Sequence, residues 1–182
     1  LFHADWLLNR GSEPPLLGLL SMQRIQEKSL EKTFYFEYRA YRDALFKTLQ
    51  EANPTYKDQP RQLVRLTQKL LDRLLFVLFC EDMGAYLQFP VNLLRDLLIK
   101  DSQDEELQPN AMDVWEEKVL RLFKSMRNGG TFRTHQISRF NGGLFADPAH
   151  IELVADERVL LKEACLFDWS KVRPGIFGTL FE

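Results

Sequence analysis

The residues best placed to do chemistry are six cations in a stretch that holds no acid. Lys118, Arg121, Lys124, Arg127, Arg133 and Arg139 fall between Lys118 and Ala146, where neither Asp nor Glu occurs. Lys118, Arg121 and Lys124 stand three apart, so on a helix they share one slowly drifting face. Cations grouped in this way neutralise phosphates, which gives sequence-blind, salt-dependent affinity. These six are the candidate DNA phosphate contacts. The plain alternative is a solvated face paired with the run just before it, because Asp101 to Glu117 carries seven acids and no Lys or Arg.

Other short patterns carry less. Glu81 and Asp82 follow the apolar end of a helix, beside the negative pole of its dipole, where acids are unfavourable without donors. They read as a carboxylate site or as an ion pair with an arginine such as Arg73 or Arg121. Glu116-Glu117-Lys118 matches the Glu-x-Lys half of a nuclease signature. That chemistry needs a strand and an upstream aspartate for the metal, and here the tripeptide falls on a helix. Asn53-Pro54-Thr55-Tyr56 approaches the Asn-Pro-Pro-Tyr loop of amino-methyltransferases but lacks the second proline and follows a helix, so it reads as a helix–helix turn. Asn128-Gly129-Gly130 and Asn141-Gly142-Gly143 have the spacing of turns, not of phosphate-binding loops. Cys80 and Cys165 lie in apolar surroundings and read as buried thiols of a reducing, cytoplasmic setting. The three histidines are scattered, so no metal site is expected.

The elements that must position these groups centre on Pro60 to Gly84. Leu63, Leu66, Leu70 and Leu74 recur at helical spacing, and from Leu74 to Cys80 polarity disappears. A helix that is apolar all round must be buried all round, so this is the expected central helix, ended by Gly84. The run is too short to span a bilayer, which needs about 20 residues, and no membrane partner is expected.

Around it, residues 27–51 predict a helix with Phe34, Tyr38, Tyr41, Leu45 and Leu49 as its stripe. The crowded aromatics would suit base stacking, but at helical spacing they read as core. Residues 90–99 predict a short helix opened by Pro90, and 111–127 another with Val114, Trp115, Val119, Leu122 and Phe123 inward. Phe132, Ile137 and Phe140 mark either a small hairpin near 130–145 or an anchored loop. A short helix is expected near Glu157–Ala164; Asp168 or Ser170 caps a final segment, and Pro174 opens a last helix. The fold class is mostly α, one helical domain around a buried helix. Residues 1–26 read as an N-terminal strap or linker.

The totals agree with a globular domain. The 182 residues are 45% hydrophobic and 27% charged, with a net charge of -2, so no uniform basic surface draws the chain to nucleic acid. The chain begins without Met and stops at Leu180-Phe181-Glu182 inside an apolar pattern, so it reads as a piece of a longer protein.

Three motifs in order carry a resemblance: Leu74-Leu75-Phe76-Val77-Leu78-Phe79-Cys80-Glu81-Asp82-Met83-Gly84, then Phe140-Asn141-Gly142-Gly143-Leu144-Phe145, then the stretch from Phe167-Asp168-Trp169 to Thr179-Leu180-Phe181-Glu182. Over residues 27–182 the chain resembles the helical spacer region of bacterial single-chain (type IIG and IIL) restriction–modification enzymes and related adenine-specific DNA methyltransferases. The resemblance implies a spacer domain over 27–165, and over 166–182 a connector and first helix leading into a methyltransferase domain beyond Glu182. It implies a parent protein that binds S-adenosylmethionine and methylates adenine N6 in duplex DNA, with or without cleavage, in restriction or phage defence. No catalytic or cofactor-binding residue carries over to this chain. Trp169, Pro174, Ile176, Phe177 and Phe181 are the implied interdomain docking residues. The alternative function is a helical protein–protein interaction module with no DNA role; an independent enzyme has less support, because no nucleophile–base pair or metal cluster stands out.

Overall fold

The computed structural model describes residues 15–99, 111–140, 143–147, 151, 164–166 and 168–172. The chain divides into two units, Leu1–Glu37 and Tyr38–Glu182. In chain order the elements are α1 (Pro15–Ala52), a 3-10 turn (Pro54–Tyr56), α2 (Pro60–Asp82), α3 (Gly84–Leu87), α4 (Leu93–Ile99), α5 (Ala111–Asn128), β1 (Gly130–Phe132), β2 (His135–Ile137), and 3-10 turns at Gly143–Phe145 and Trp169–Lys171. The described residues are mostly helical with one hairpin, as expected. None of their helices is long and apolar enough to cross a membrane.

In the first unit the described residues are helical from Pro15, well ahead of the expected start at residue 27. Pro15 opens the helix, since proline suits the first helical position, and Leu16 to Leu20 holds one poor helix former, Gly18. Phe34 is buried, with Tyr35 edge-on at 5.7 Å between ring centroids. Tyr35 and Phe36 are exposed.

The second unit is built on α2. Proline occupies its first turn. Leu74, Leu75, Val77, Leu78, Phe79 and Cys80 are all buried, so the helix is enclosed where its polarity vanishes. Tyr38, Leu45 and Leu49 of α1 are buried as well, and the Tyr38 hydroxyl donates to Asp72 Oδ1 of α2 at 2.7 Å. Asn53-Pro54-Thr55-Tyr56 is indeed a turn between helices, and Asn53 Nδ2 caps the Leu49 carbonyl at 2.9 Å.

One helix boundary and one glycine differ from expectation. α2 ends at Asp82, just ahead of Gly84 as expected, but Gly84 begins α3 and is not in the left-handed region. The glycine is needed for room, not for a left-handed turn: a Cβ there would stand 3.0 Å from Val91 Cγ1 and 3.1 Å from the Phe89 carbonyl. α4 starts at Leu93, not Pro90, because Val91 and Asn92 form a turn in which Asn92 takes φ 60°. Asparagine tolerates that left-handed conformation.

α5 ends where the sequence says it should. Gly129 adopts φ 74° and its N–H returns to the Ser125 carbonyl at 2.8 Å, a left-handed glycine stop. The chain then forms the hairpin, with Gly130 opposite Ile137, Thr131 opposite Gln136 and Phe132 opposite His135. Phe132 and Ile137 are buried, and Phe140 donates its N–H to the Met126 carbonyl, laying the hairpin exit on α5. Phe76 of α2 meets Phe140 edge-on at 5.5 Å and Phe145 at 6.0 Å. Within α5, Val119, Leu122 and Phe123 face inward as expected. The acidic stretch 101–110, the side chains of Val114 and Trp115, the expected helix at Glu157–Ala164 apart from Ala164, and everything from residue 173 on lie outside the described residues.

Candidate nucleic-acid interface

The six cations do not form one uniform stripe. Lys118, Arg121, Lys124 and Arg127 lie on α5; Arg133 occupies the hairpin turn and Arg139 follows β2. Arg121 is exposed and stands 3.8 Å from Glu117, one turn back. Arg133 takes φ 52°, and its guanidinium lies 6.0 Å from the Phe132 ring. Arg139 is exposed. Lys124 and Arg127 are set apart from the rest: they line a hollow of about 200 Å³ together with Arg73, Leu120, Phe123, Phe145 and Asp147.

Arg73 is the residue that sequence reasoning misplaced. It was a candidate partner for Glu81 and Asp82; instead it crosses to the 143–147 turn. Its Nε donates to the Leu144 carbonyl at 2.9 Å and its Nη2 to the Asp147 carbonyl. The guanidinium also lies 5.6 Å from the Phe123 ring and 5.9 Å from that of Phe145. Burial lowers its pKa most; Asp147 opposes that shift and the neighbouring charge of Arg127 adds to it. Lys69, one turn earlier on α2, pairs with the Asp147 carboxylate. The hollow thus sits where α2, α5 and the 143–147 turn meet, floored by rings and edged by cations.

Glu81 and Asp82 find their donors elsewhere. Arg95 of α4 is the partner: its Nη1 lies 2.7 Å from Asp82 Oδ1 and 3.3 Å from Glu81 Oε2, and its Nη2 donates to Asp82 Oδ2 at 3.1 Å. The Leu94 N–H also donates to Glu81. Glu81 is 2% exposed, and burial pushes its pKa up to about 7 against the pull of Leu94 and Arg95. Burial alone would lower Arg95, but Asp82 and then Glu81 outweigh it and hold the guanidinium above its ordinary value. The ion-pair reading of the two acids holds, with a different arginine.

The same cluster fastens the chain near residue 169. Asp82 Oδ2 accepts the Trp169 N–H at 2.7 Å, and Arg95 Nε donates to the Cys165 carbonyl at 3.3 Å. Trp169, an expected docking residue, is 2% exposed, with its indole N–H on the Ala164 carbonyl at 2.9 Å. Its ring is packed within this unit and anchors the segment. Pro174, Ile176, Phe177 and Phe181 lie outside the described residues. Asp168 caps the Trp169–Lys171 turn by accepting from the Ser170 N–H at 3.2 Å, and the Ser170 hydroxyl and then Lys171 hold its carboxyl below the usual range.

Cys80 and Cys165 are buried free thiols, each pushed up to about 12 by burial, so neither is a nucleophile near neutral pH. Among the described residues no group of three or more His, Cys, Asp or Glu is arranged to hold a metal ion.

Residues 65–145 match the family described as MmeI, helicase spacer domain, MmeI being a type IIG restriction–modification enzyme. The match runs from the first turns of α2 through the hairpin to Phe145 and takes in all the lining of the hollow except Asp147. Over that stretch it bears out the resemblance carried by the motifs: the segment is similar to a spacer domain of a restriction–modification enzyme. Neither a curated protein nor a solved structure matches the chain.

Proposed function

We propose that this chain is the non-catalytic helical connector of a bacterial restriction–modification or phage-defence protein. Its neighbour, beyond Glu182, is a methyltransferase domain that binds S-adenosylmethionine and methylates adenine N6. The connector docks on that domain through residues 166–182 and steadies the duplex through backbone phosphates. The match of residues 65–145 to a spacer domain carries the reading. Two structural features support it. The segment that would enter the next domain is tied to the central helix through Asp82 and Trp169, so the exit is held rather than tethered loosely. Lys124 and Arg127 of α5 lie beside the 143–147 turn, where one phosphate is within reach of both.

The test uses the protein in its full natural reading frame, incubated with duplex DNA and labelled S-adenosylmethionine. Adenine methylation that falls when Lys118, Arg121 and Lys124 become alanine supports a DNA-facing connector. Methylation indifferent to those changes reduces the domain to a structural spacer. A folded, cofactor-competent protein that transfers no methyl group overturns the assignment.

A further inference from the structure

The hollow between α2, α5 and the 143–147 turn is too large and too cationic to be a gap in packing. We propose that it seats one phosphodiester group of the DNA backbone, with Arg73 as its fixed wall and Lys124 and Arg127 as its arms. The proposal rests on the DNA-facing reading above and names the place where the backbone is held.

Four observations carry it. Three cations line one hollow of about 200 Å³, and Arg73 is only 4% exposed. Like charges gathered around a partly dry space repel one another until an anion enters. Arg127 already bears on Arg73 in this way, while the Asp147 charge acts on Arg73 in the opposite sense and more strongly. The single carboxylate in the lining, Asp147, is shared: it pairs with Lys69 and its charge also acts on Arg73, whose Nη2 donates to the Asp147 backbone carbonyl, so the cations still outnumber it. Phe123, Phe145 and Leu120 complete the walls with apolar surface, which limits screening of whatever charge is bound. The volume lies below the range of about 300–1,000 Å³ that encloses whole small molecules. It suits a single group projecting from a polymer better than a free nucleotide. Arg121, Arg133 and Arg139 are not part of the lining, so their share is diffuse attraction only.

Duplex binding by the full reading frame, followed by fluorescence anisotropy across a salt series, tests this. Lys124→Ala and Arg127→Ala are each expected to make the slope of log K against log salt shallower by about one phosphate's worth. Arg121→Ala changes it less. Asp147→Asn removes a negative charge from the hollow without touching the backbone carbonyl that Arg73 uses, so it tightens binding severalfold. A misfolded variant cannot mimic a gain in affinity. Asp58→Asn is the control for removing an acid elsewhere: it precedes α2, whose first residue lies about 20 Å along the helix from Arg73. If Lys124→Ala and Arg127→Ala behave like Arg121→Ala, or Asp147→Asn like Asp58→Asn, the seat is wrong although the connector can still face DNA. If Asp147→Asn tightens a labelled mononucleotide but not the duplex, the hollow takes a free ligand and the proposal falls. If the wild-type protein binds no duplex, the DNA-facing reading falls with it.

Discussion

The Asp82 carboxylate accepts the backbone N–H of Trp169 at 2.7 Å across 87 positions of sequence. The bond goes to main chain, so it fixes the path of residues 168–172 against α2 whatever side chains they carry. The same carboxylate holds Arg95, which in turn reaches Glu81 and the Cys165 carbonyl. One largely buried cluster therefore sets both the position of α4 and the path of residues 168–172.

Arg95→Ala leaves two acids at the end of α2 without their cation. Breaking a buried pair by removing one partner costs about 3–5 kcal/mol. The loss is expected to be largest near pH 8, where Glu81 is charged, and smaller near pH 5, where Glu81 takes up a proton. Urea denaturation at the two pH values reads this. An equal loss at both would show that Arg95 acts through packing alone.

Asp72 gives stability a pH dependence of defined sign. Burial raises its pKa to about 6, above its ordinary 3.8, although the Tyr38 hydroxyl bond opposes the rise. A raised folded-state value means that its contribution is fully present below pH 3.8 and is lost as pH rises through 6. Glu81 acts in the same direction between 4.5 and about 7. Asp72→Asn keeps an acceptor for Tyr38 and removes the buried charge. It is expected to be the more stable protein at pH 8, by up to about 3 kcal/mol, with the advantage shrinking towards pH 4. A variant less stable than wild type at pH 8 would mean that the charge itself is stabilising.

Thr67 is fully buried on α2, and its hydroxyl has no hydrogen-bond partner among the described residues. Thr67→Val keeps the shape and removes the desolvated hydroxyl. Thermal unfolding should show a gain of about 1 kcal/mol. A loss would indicate that the hydroxyl is satisfied in solution by an ordered water.

Trp169→Phe tests the anchor while keeping an aromatic ring in the site. It deletes the indole donor and leaves the Ala164 carbonyl unmatched, at a cost of about 1–2 kcal/mol. Trp169→Ala adds the loss of the ring and should cost about 3–5 kcal/mol. Similar effects from the two would place the value of the residue in its N–H rather than in its bulk.

What could be read from the sequence was whatever local pattern determines. The leucine spacing and vanishing polarity of α2 announced a buried helix, and Gly129 announced the end of α5. The hairpin stood open against a loop until the pairing of Phe132 with His135 was seen. The start of α1 was missed because a Pro-Pro pair signals a break and a helix start alike. Gly84 was misread because glycine serves both a left-handed stop and a close approach, and only the proximity of Val91 distinguishes them. The arginines were hardest. Arg95 meets its acids 13 and 14 positions away on another helix, and Arg73 meets carbonyls more than 70 positions away. Periodicity does not encode such pairs. The basic run pointed to α5, but the division of its cations between hollow and open surface needed the 143–147 turn in place.

Arg73 grips that turn by two carbonyl oxygens, and this has a consequence for how the segment tolerates change. A grip on main chain is indifferent to side-chain identity at Leu144 and to that of Asp147, so substitutions there can drift while the wall of the hollow stays where it is. It is not indifferent to length. Adding or removing one residue between Gly143 and Asp147 would carry a carbonyl out of the reach of the guanidinium, and lysine at position 73 has no planar fork to span both oxygens. At Leu144 and Asp147 the turn behaves as a ruler: the guanidinium reads the spacing of their main chain, while Phe145 between them is held by its own packing.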